Sequence, residues 1–306
     1  MNVLRILVLP VLILCAAAPN LTAQSSQRPL RIVFLDFGLT ATGRLVGDQL
    51  AQIFVNKNQP SKEFQILDRD QARAAALGAG YQNSVNMALQ EARDLASAMG
   101  CDFFFTGEAR TLRRTPLEGL PYFESYAAIY LVSGRTGKLL LWERPSVQRA
   151  TPEDAEKALL KELTGEDVIY RYQTAILRAQ KDESAARALA IENAATIIEV
   201  MSEDGDESNS DVRAPRPFRR LKPPYPETAA RAEVEATVDV LVDIDVRGEA
   251  GRLEIARWAG YGLDQSVLDT VKQMHFFPAM RDGIAIPMRV LLRYNFRKPP
   301  VPNPLR

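Results

Sequence analysis

One histidine, two cysteines and two tryptophans in 306 residues leave little for metal or nucleophile chemistry. A zinc-type site needs several nitrogen, thiolate or carboxylate ligands brought together. His275 has no second nitrogen or thiolate partner in its MHFFPA context, so it reads as a structural residue at a helix end. Cys15 lies in the first 24 residues, which leaves Cys101 as the one thiol beyond them. A single thiol closes no internal disulfide, and beside Met99, Phe103, Phe104 and Phe105 it reads as a small buried hydrophobe. Net charge is absent too: 38 basic residues balance 38 acidic ones, so overall charge gives no reason to expect nucleic acid. No G-x-G-x-x-G occurs. Gly38 and Gly43 have P-loop spacing, but Arg44-Leu45 stands where Lys-Ser/Thr must meet phosphate and magnesium. No Ser/His/Asp or Cys/His set can be assembled. These absences argue against an enzyme and imply no cofactor, no metal and no small-molecule substrate.

A long apolar run is also missing. Ile6–Ala18 has 13 residues and contains Pro10, short for a bilayer crossing. With Arg5 before it and Thr22-Ala23-Gln24 after it, residues 1–24 read as a secretory signal peptide cleaved near Ala23 or Gln24. An uncleaved anchor is the rival. A lipoprotein reading of Cys15 fails at Leu14, where such signals carry a small residue.

What is present is globular: 46% hydrophobic and 25% charged residues. Residues 28–150 begin with LRIVFLDF, the near-continuous apolar run of a strand buried on both faces. A helix capped by Thr40 or Thr42, strand FQIL (64–67), and helices over about 69–77 and 85–99 follow. Strands over 101–110, 125–133 and 138–144 complete an α/β unit with a mixed sheet. The next stretch is acidic: residues 150–211 hold 15 Asp/Glu against 6 Lys/Arg. Thr151-Pro152-Glu153 starts a helical segment, residues 151–201, that includes ARALAIENAATIIEVM (186–201). SEDGDESNSDVRAPRP (202–217) has no apolar periodicity and reads as a disordered linker that lets two domains move independently.

Residues 218–298 are the most patterned. PPYP (223–226) is too proline-rich for helix or central strand and reads as a stiff extended entry. TVDVLVDIDV then alternates, with Val238, Val240, Val242, Ile244 and Val246 on one face and Asp239, Asp243 and Asp245 on the other, Leu241 being the exception. That acidic row reads as a solvated sheet face rather than a carboxylate cluster. A turn at 247–251, strand 252–258, a helix over about 263–274 and a last strand over 287–296 give ββαβ. Residues 299–306 are a tail.

Two resemblances attach to these segments. FLDF, FQILDRDQ, AMGCDFFFTGEAR and RTGKLL resemble the N-terminal α/β domain of TolB and CsgG-like envelope proteins. YPETAAR, the alternating strand, GLDQSVLDTVKQMHFFPAMRDGIAIP and a final strand ending YNF resemble the TonB C-terminal domain family. Glu235-Ala236 replaces that family's usual glycine, and Met274 its helix-end tryptophan. The expected fold class is therefore α+β: a TolB/CsgG-like mixed-sheet domain, a helical segment, a linker and a TonB-like ββαβ domain. The second resemblance implies an exported periplasmic adaptor. Its last strand, Met288, Arg289, Val290, Leu291, Leu292, Arg293, Tyr294, Asn295 and Phe296, would receive an extended segment of an outer-membrane receptor or another envelope protein. Arg289, Arg293 and Arg297 would favour an acidic segment, and Pro224, Tyr225 and Pro226 would form an extended lead-in. The rival is an envelope assembly factor acting mainly through the N-terminal domain.

Overall fold

The computed structural model describes residues 28–57, 63–116, 118–192, 200–202 and 212–298. The expected signal peptide and the tail lie outside the described residues. The first unit contains β1 (Leu30–Phe34), α1 (Ala41–Lys57), β2 (Phe64–Ile66), α2 (Arg69–Gly78), β3 (Met87–Ala88) and α3 (Leu89–Met99). It continues with β4 (Phe103–Arg114), β5 (Tyr122–Ser133), β6 (Leu139–Glu143), β7 (Ser146–Arg149), α4 (Pro152–Leu163) and α5 (Glu166–Glu192). Its sheet runs β2-β1-β4-β5-β6, with β7 also on β5; the β1 pairings are parallel and the others antiparallel. Thr40 opens α1 by accepting the Gly43 N–H at 2.9 Å. A Cβ at Gly43 would lie 2.1 Å from the Phe37 carbonyl, so this glycine serves close packing of the turn.

Alternation along β1, β4 and β5 divides the core in two. Ile32, Phe34, Phe103, Phe105, Ile129 and Leu131 face α1, α4 and α5, with Phe34 stacked on Phe105 at 4.5 Å. Tyr172 of α5 meets the same Phe105 ring edge-on at 5.2 Å. The acidic helical segment is thus part of the first unit rather than a separate piece. Its second helix ends at Glu192, and Val200–Ser202 forms strand β8, against the expected helix to Met201. Similarly, Met87–Ala88 forms a strand where a helix from Val85 is expected.

The second unit starts earlier than its sequence pattern indicates. Strands β9 (Val212–Arg213) and β10 (Arg216–Pro217) precede α6 (Glu227–Ala232), β11 (Ala236–Ile244), β12 (Ala250–Trp258) and α7 (Leu263–Val271). Strands β13 (Phe276–Phe277), β14 (Ala279–Arg281), β15 (Ile284–Ile286) and β16 (Met288–Phe296) complete it. β9 pairs with β14 and β10 with β13, so residues 212–217 are bound to the second unit, not a free linker. Residues 203–211 lie outside the described residues.

The two units are not independent either. The other face of the first sheet (Val33, Leu35, Phe104, Ala128, Tyr130, Val132) packs on α2 and α3. The same apolar cluster continues into Trp258, Ala259, Tyr261, Leu263, Val240 and Val242 of the second unit. Independent motion would expose that shared core to water, at roughly 25 cal/mol for each Å² of apolar surface. The main sheet of the second unit runs β3-β12-β11-β16-β8, so a strand from outside the ββαβ pattern caps each edge.

Candidate functional site: the outer edge of β16

Strand β16 pairs antiparallel with β11 over its whole length, Met288 opposite Ile244 through Phe296 opposite Ala236. Met288, Val290, Leu292, Tyr294 and Phe296 are buried in the shared core together with Val267, Val271 and Met274. The Tyr294 hydroxyl donates to Met274 Sδ at 3.4 Å. Arg289 and Leu291 are half-buried, and Arg293 and Asn295 are exposed on the opposite face.

In a β-strand the N–H and C=O of one residue point to the same neighbour and alternate from residue to residue. Asn86 bonds both backbone groups of Thr237: its Oδ1 accepts the Thr237 N–H at 3.1 Å, and its Nδ2 donates to Thr237 O at 2.8 Å. Thr237, and with it Asp239, Leu241 and Asp243, therefore turns its backbone away from β16. The partners on β16 that exchange bonds with β11 are then Val290, Leu292 and Tyr294. Arg289, Leu291, Arg293 and Asn295 turn theirs to the outer edge. An independent contact agrees, since Arg220 Nη2 donates to the Arg293 carbonyl at 2.7 Å from that side.

Part of this edge holds a strand. β8 lies parallel to β16, with Val200, Met201 and Ser202 opposite Arg289, Val290 and Leu291. Beyond Leu291 no strand pairs with this side of β16 among the described residues. A groove of about 640 Å³ lies there instead, between Lys222–Tyr225 and Tyr294–Lys298. The lead-in forms its far wall. Ser266 Oγ donates to the Pro224 carbonyl at 2.6 Å, and the Tyr225 hydroxyl donates to Val234 O at 2.6 Å. Tyr225 packs 6.1 Å from the Phe296 ring, and Pro226 stands before the first turn of α6. Proline stiffness suits a wall fixed at both ends.

The electrostatics differ from the expectation. Arg289 and Arg293 do not offer open positive charge, because each forks onto an aspartate of β11. Arg289 Nε and Nη2 bind both Asp243 oxygens, the second at 2.8 Å. Arg293 binds both Asp239 oxygens at 2.7 and 3.1 Å. The hydrogen bonds from Arg289 hold the Asp243 carboxyl below the usual range. Asp239 is buried at 5% exposure and also faces Arg257 Nε at 3.6 Å, so the aspartate row is not a solvated face. Asp245 closes the turn to β12 by accepting the Arg247 and Glu249 N–H groups. The cationic residues lining the groove are Lys222, Arg297 and Lys298, the last paired to Glu233 at 2.6 Å.

The residues considered for chemistry lie apart. His275 is exposed, 3.2 Å from Glu249, and not packed on the core; Met274 fills the buried position. Burial, and then the charge of Asp102, push the Cys101 thiol up to about 12. Among the described residues no three His, Cys, Asp or Glu are grouped to hold a metal. No helix among them is long and apolar enough to cross a membrane. Asn86, Arg220 and Val200–Ser202 are the edge-defining residues that sequence patterning misses, since none interrupts or extends a periodic segment.

Residues 222–297 match the family described as Gram-negative bacterial TonB protein C-terminal. Protein TonB of Vibrio cholerae is 29% identical over 79 residues, 26% of this chain and 32% of that protein, so the match spans about a third of that relative's length. The C-terminal unit is thus supported as a TonB-type domain. Among solved structures, the Pseudomonas aeruginosa TonB C-terminal domain is similar at 19% identity, covering 33% of this chain and 95% of that one, with a TM-score of 0.25. The hypothetical protein CT253 of Chlamydia trachomatis is similar at 9% identity over 48% of this chain and 98% of that one, with a TM-score of 0.33. A PelC dodecamer from Paraburkholderia phytofirmans is similar at 10% identity over 45% and 85%, with a TM-score of 0.26.

Proposed function

We propose that this protein is an exported, periplasmic cell-envelope adaptor. Its TonB-type C-terminal unit binds an extended segment of an outer-membrane protein by strand addition on the outer edge of β16. The observation that carries the reading is the phase of that strand. Arg289, Leu291, Arg293 and Asn295 direct their backbone groups outward, and a parallel strand is already seated on the first half of the edge. Main-chain bonds then supply affinity, and the groove between Lys222–Tyr225 and Tyr294–Lys298 supplies selectivity. The N-terminal unit, read as TolB- or CsgG-like, serves as the rigid body that carries this edge. The family match makes a transport or energy-coupling role the better reading than catalysis.

The test is photo-crosslinking in cells, with a benzophenone amino acid at Asn295 and, as control, at Gln265 on α7. An outer-membrane protein should be captured from Asn295 and not from Gln265. Capture should be lost in Leu291→Pro, which removes an outward N–H, and kept in Leu291→Thr. Equal capture by a folded Leu291→Pro protein would overturn strand addition.

A further inference from the structure

The two-stranded ribbon of β10 and β13 carries two phenylalanine rings on its outside. We propose that this ribbon is a membrane-docking surface: its cations bind anionic phospholipid headgroups and its two rings enter the interface. The inference goes beyond strand addition at β16 and does not depend on it.

Alternation fixes which side chains of the ribbon share a face. Arg216 stands opposite Phe277 and Pro217 opposite Phe276, and the Phe218 N–H donates to the His275 carbonyl at 2.9 Å. Phe276 is buried, so Pro217 and Phe276 turn inward while Arg216, Phe218, His275 and Phe277 turn outward. Phe218 is 61% exposed and Phe277 50%, with their rings 4.0 Å apart. Single exposed apolar residues are ordinary, but two stacked rings make a patch. The charge around it indicates what covers it. Residues 212–226 hold five basic residues and no acidic one. Arg220 donates to the Arg293 carbonyl. Arg216, Arg219 and Lys222 are exposed, and none of them pairs with an acidic side chain among the described residues. Glu249, beside this face, is met by His275 at 3.2 Å.

An added peptide strand fits this face poorly. The Phe218 N–H points to β13, so the N–H position of the residue before it lies on the outer side of β10, where Pro217 has none. Pro215 lacks the next donor on that side. Side chains are left to make the contact, cations for phosphate and rings for the acyl boundary, as on peripheral membrane surfaces.

The experiment uses the chain from Ser25 onward, so that the apolar run Ile6–Ala18 does not contribute. It is sedimented with vesicles of phosphatidylcholine, alone or with phosphatidylglycerol at about 30 mol%. Binding should require phosphatidylglycerol and weaken at high salt. Arg216→Gln with Arg219→Gln should lower it about ten- to thirty-fold, since each basic residue near an anionic surface contributes roughly five-fold. Phe218→Ser with Phe277→Ser should lower it about ten-fold with an unchanged thermal melt. Phe218→Trp reports insertion without removing the ring: its emission, over the background of Trp142 and Trp258, should shift to the blue on phosphatidylglycerol vesicles and be quenched by brominated acyl chains. Equal binding to both vesicles, or to neither, overturns the proposal. So does a Phe218→Trp protein that sediments with unshifted emission and is displaced by polyglutamate, since the ribbon is then a cationic patch for acidic polymers rather than a membrane surface.

Discussion

The two edges of the C-terminal sheet carry capping strands of nearly equal length and different origin, one leading into α3 of the first unit and one lying parallel to β16. At β12 the cap is Met87–Ala88, and side chains lock it. Asn86 makes three hydrogen bonds, at 2.8, 2.7 and 3.1 Å, to Thr237 and Trp258. Arg257 forks onto Glu91 at 3.0 Å twice, Trp258 Nε1 donates to Gly137 O at 3.0 Å, and the Tyr130 hydroxyl donates to Ala259 O at 3.0 Å. At β16 the described fastening is three residues of parallel pairing and the bond from Arg220. Two or three ladder residues do not make an edge permanent. Buried side chains around them do, because breaking the contact then strands polar groups and exposes apolar surface. The fastening at β12 joins the two units into one body.

The largest effect should come from spoiling the sealed edge at Gly260. Its φ of +74° suits glycine, and an added Cβ would lie 2.7 Å from Tyr130 and Trp142. Gly260→Val adds left-handed strain to overpacking, together about 2–5 kcal/mol. Urea unfolding of the full chain measures it. A loss below about 1 kcal/mol would mean that this contact does not hold the units together.

Next in size is a pH effect at the same loop. The Asp264 carboxylate accepts the Ala259 and Gly260 N–H groups at 2.9 and 2.8 Å. Burial nevertheless dominates and pushes it from 3.8 up to about 6. The folded state then holds its proton more tightly than the unfolded chain. The stabilisation is full below pH 3.8 and is lost as pH rises through 6, a change on the order of 3 kcal/mol. Glu91, Glu124, Glu254 and Asp243 are held low and act with the opposite sign, gaining stability as pH rises. They are common to wild type and Asp264→Asn, so the difference between the two proteins isolates Asp264. That difference should shrink from pH 4 to pH 7; a constant difference contradicts the assignment.

Asn86→Ala should cost about 2 kcal/mol, because the Thr237 and Trp258 backbone groups lose their partners. Asn86→Asp should cost more, since it turns a carboxylate toward both carbonyls. Exchange should accelerate at Met87 and Trp258 in both variants while Leu291 is unaffected. If Leu291 responds equally, the two edges are coupled and the contrast between them fails.

How far the sequence carries follows from the same contrast. Alternation over 238–244 and 288–296, broken only at Leu241 and Leu291, marks β11 and β16, because a strand buried on one face repeats every second residue, while Val246, expected on the apolar face, lies past the strand end and is exposed. The helix-facing positions Leu263, Val267 and Val271 are equally legible. Short capping strands are not. Val200–Ser202 lies at the end of the alanine-rich sequence 186–201, and Met87–Ala88 adjoins α3, so local propensity favours helix and only tertiary pairing makes strand. The aspartates of β11 look solvated by alternation. Their arginine partners lie on β16 some fifty residues away, and no local pattern reveals that. The acidic composition of 202–217 likewise conceals that 212–217 pair with β13 and β14.

The smallest effect concerns the charge at the β16 edge. Arg289 and Asp243 form a bidentate cross-strand pair, each about a quarter exposed. Such a partly exposed pair contributes on the order of 1 kcal/mol or less, so Asp243→Ala should lower stability only slightly. Its consequence for binding runs the other way. Arg289 loses its counter-charge beside β8, so the edge becomes more positive. An acidic extended peptide should then bind about two- to five-fold more tightly in 50 mM salt, with the gain fading near 0.5 M as screening shortens the reach of charge. Asp243→Asn gives the same charge change with a smaller change in shape, and should follow it. Titrations of the three proteins at both salt concentrations decide the matter. If affinity does not change at low salt, the Arg289–Asp243 pair only fixes strand register, and the groove residues Lys222 and Arg297 carry the preference for acid.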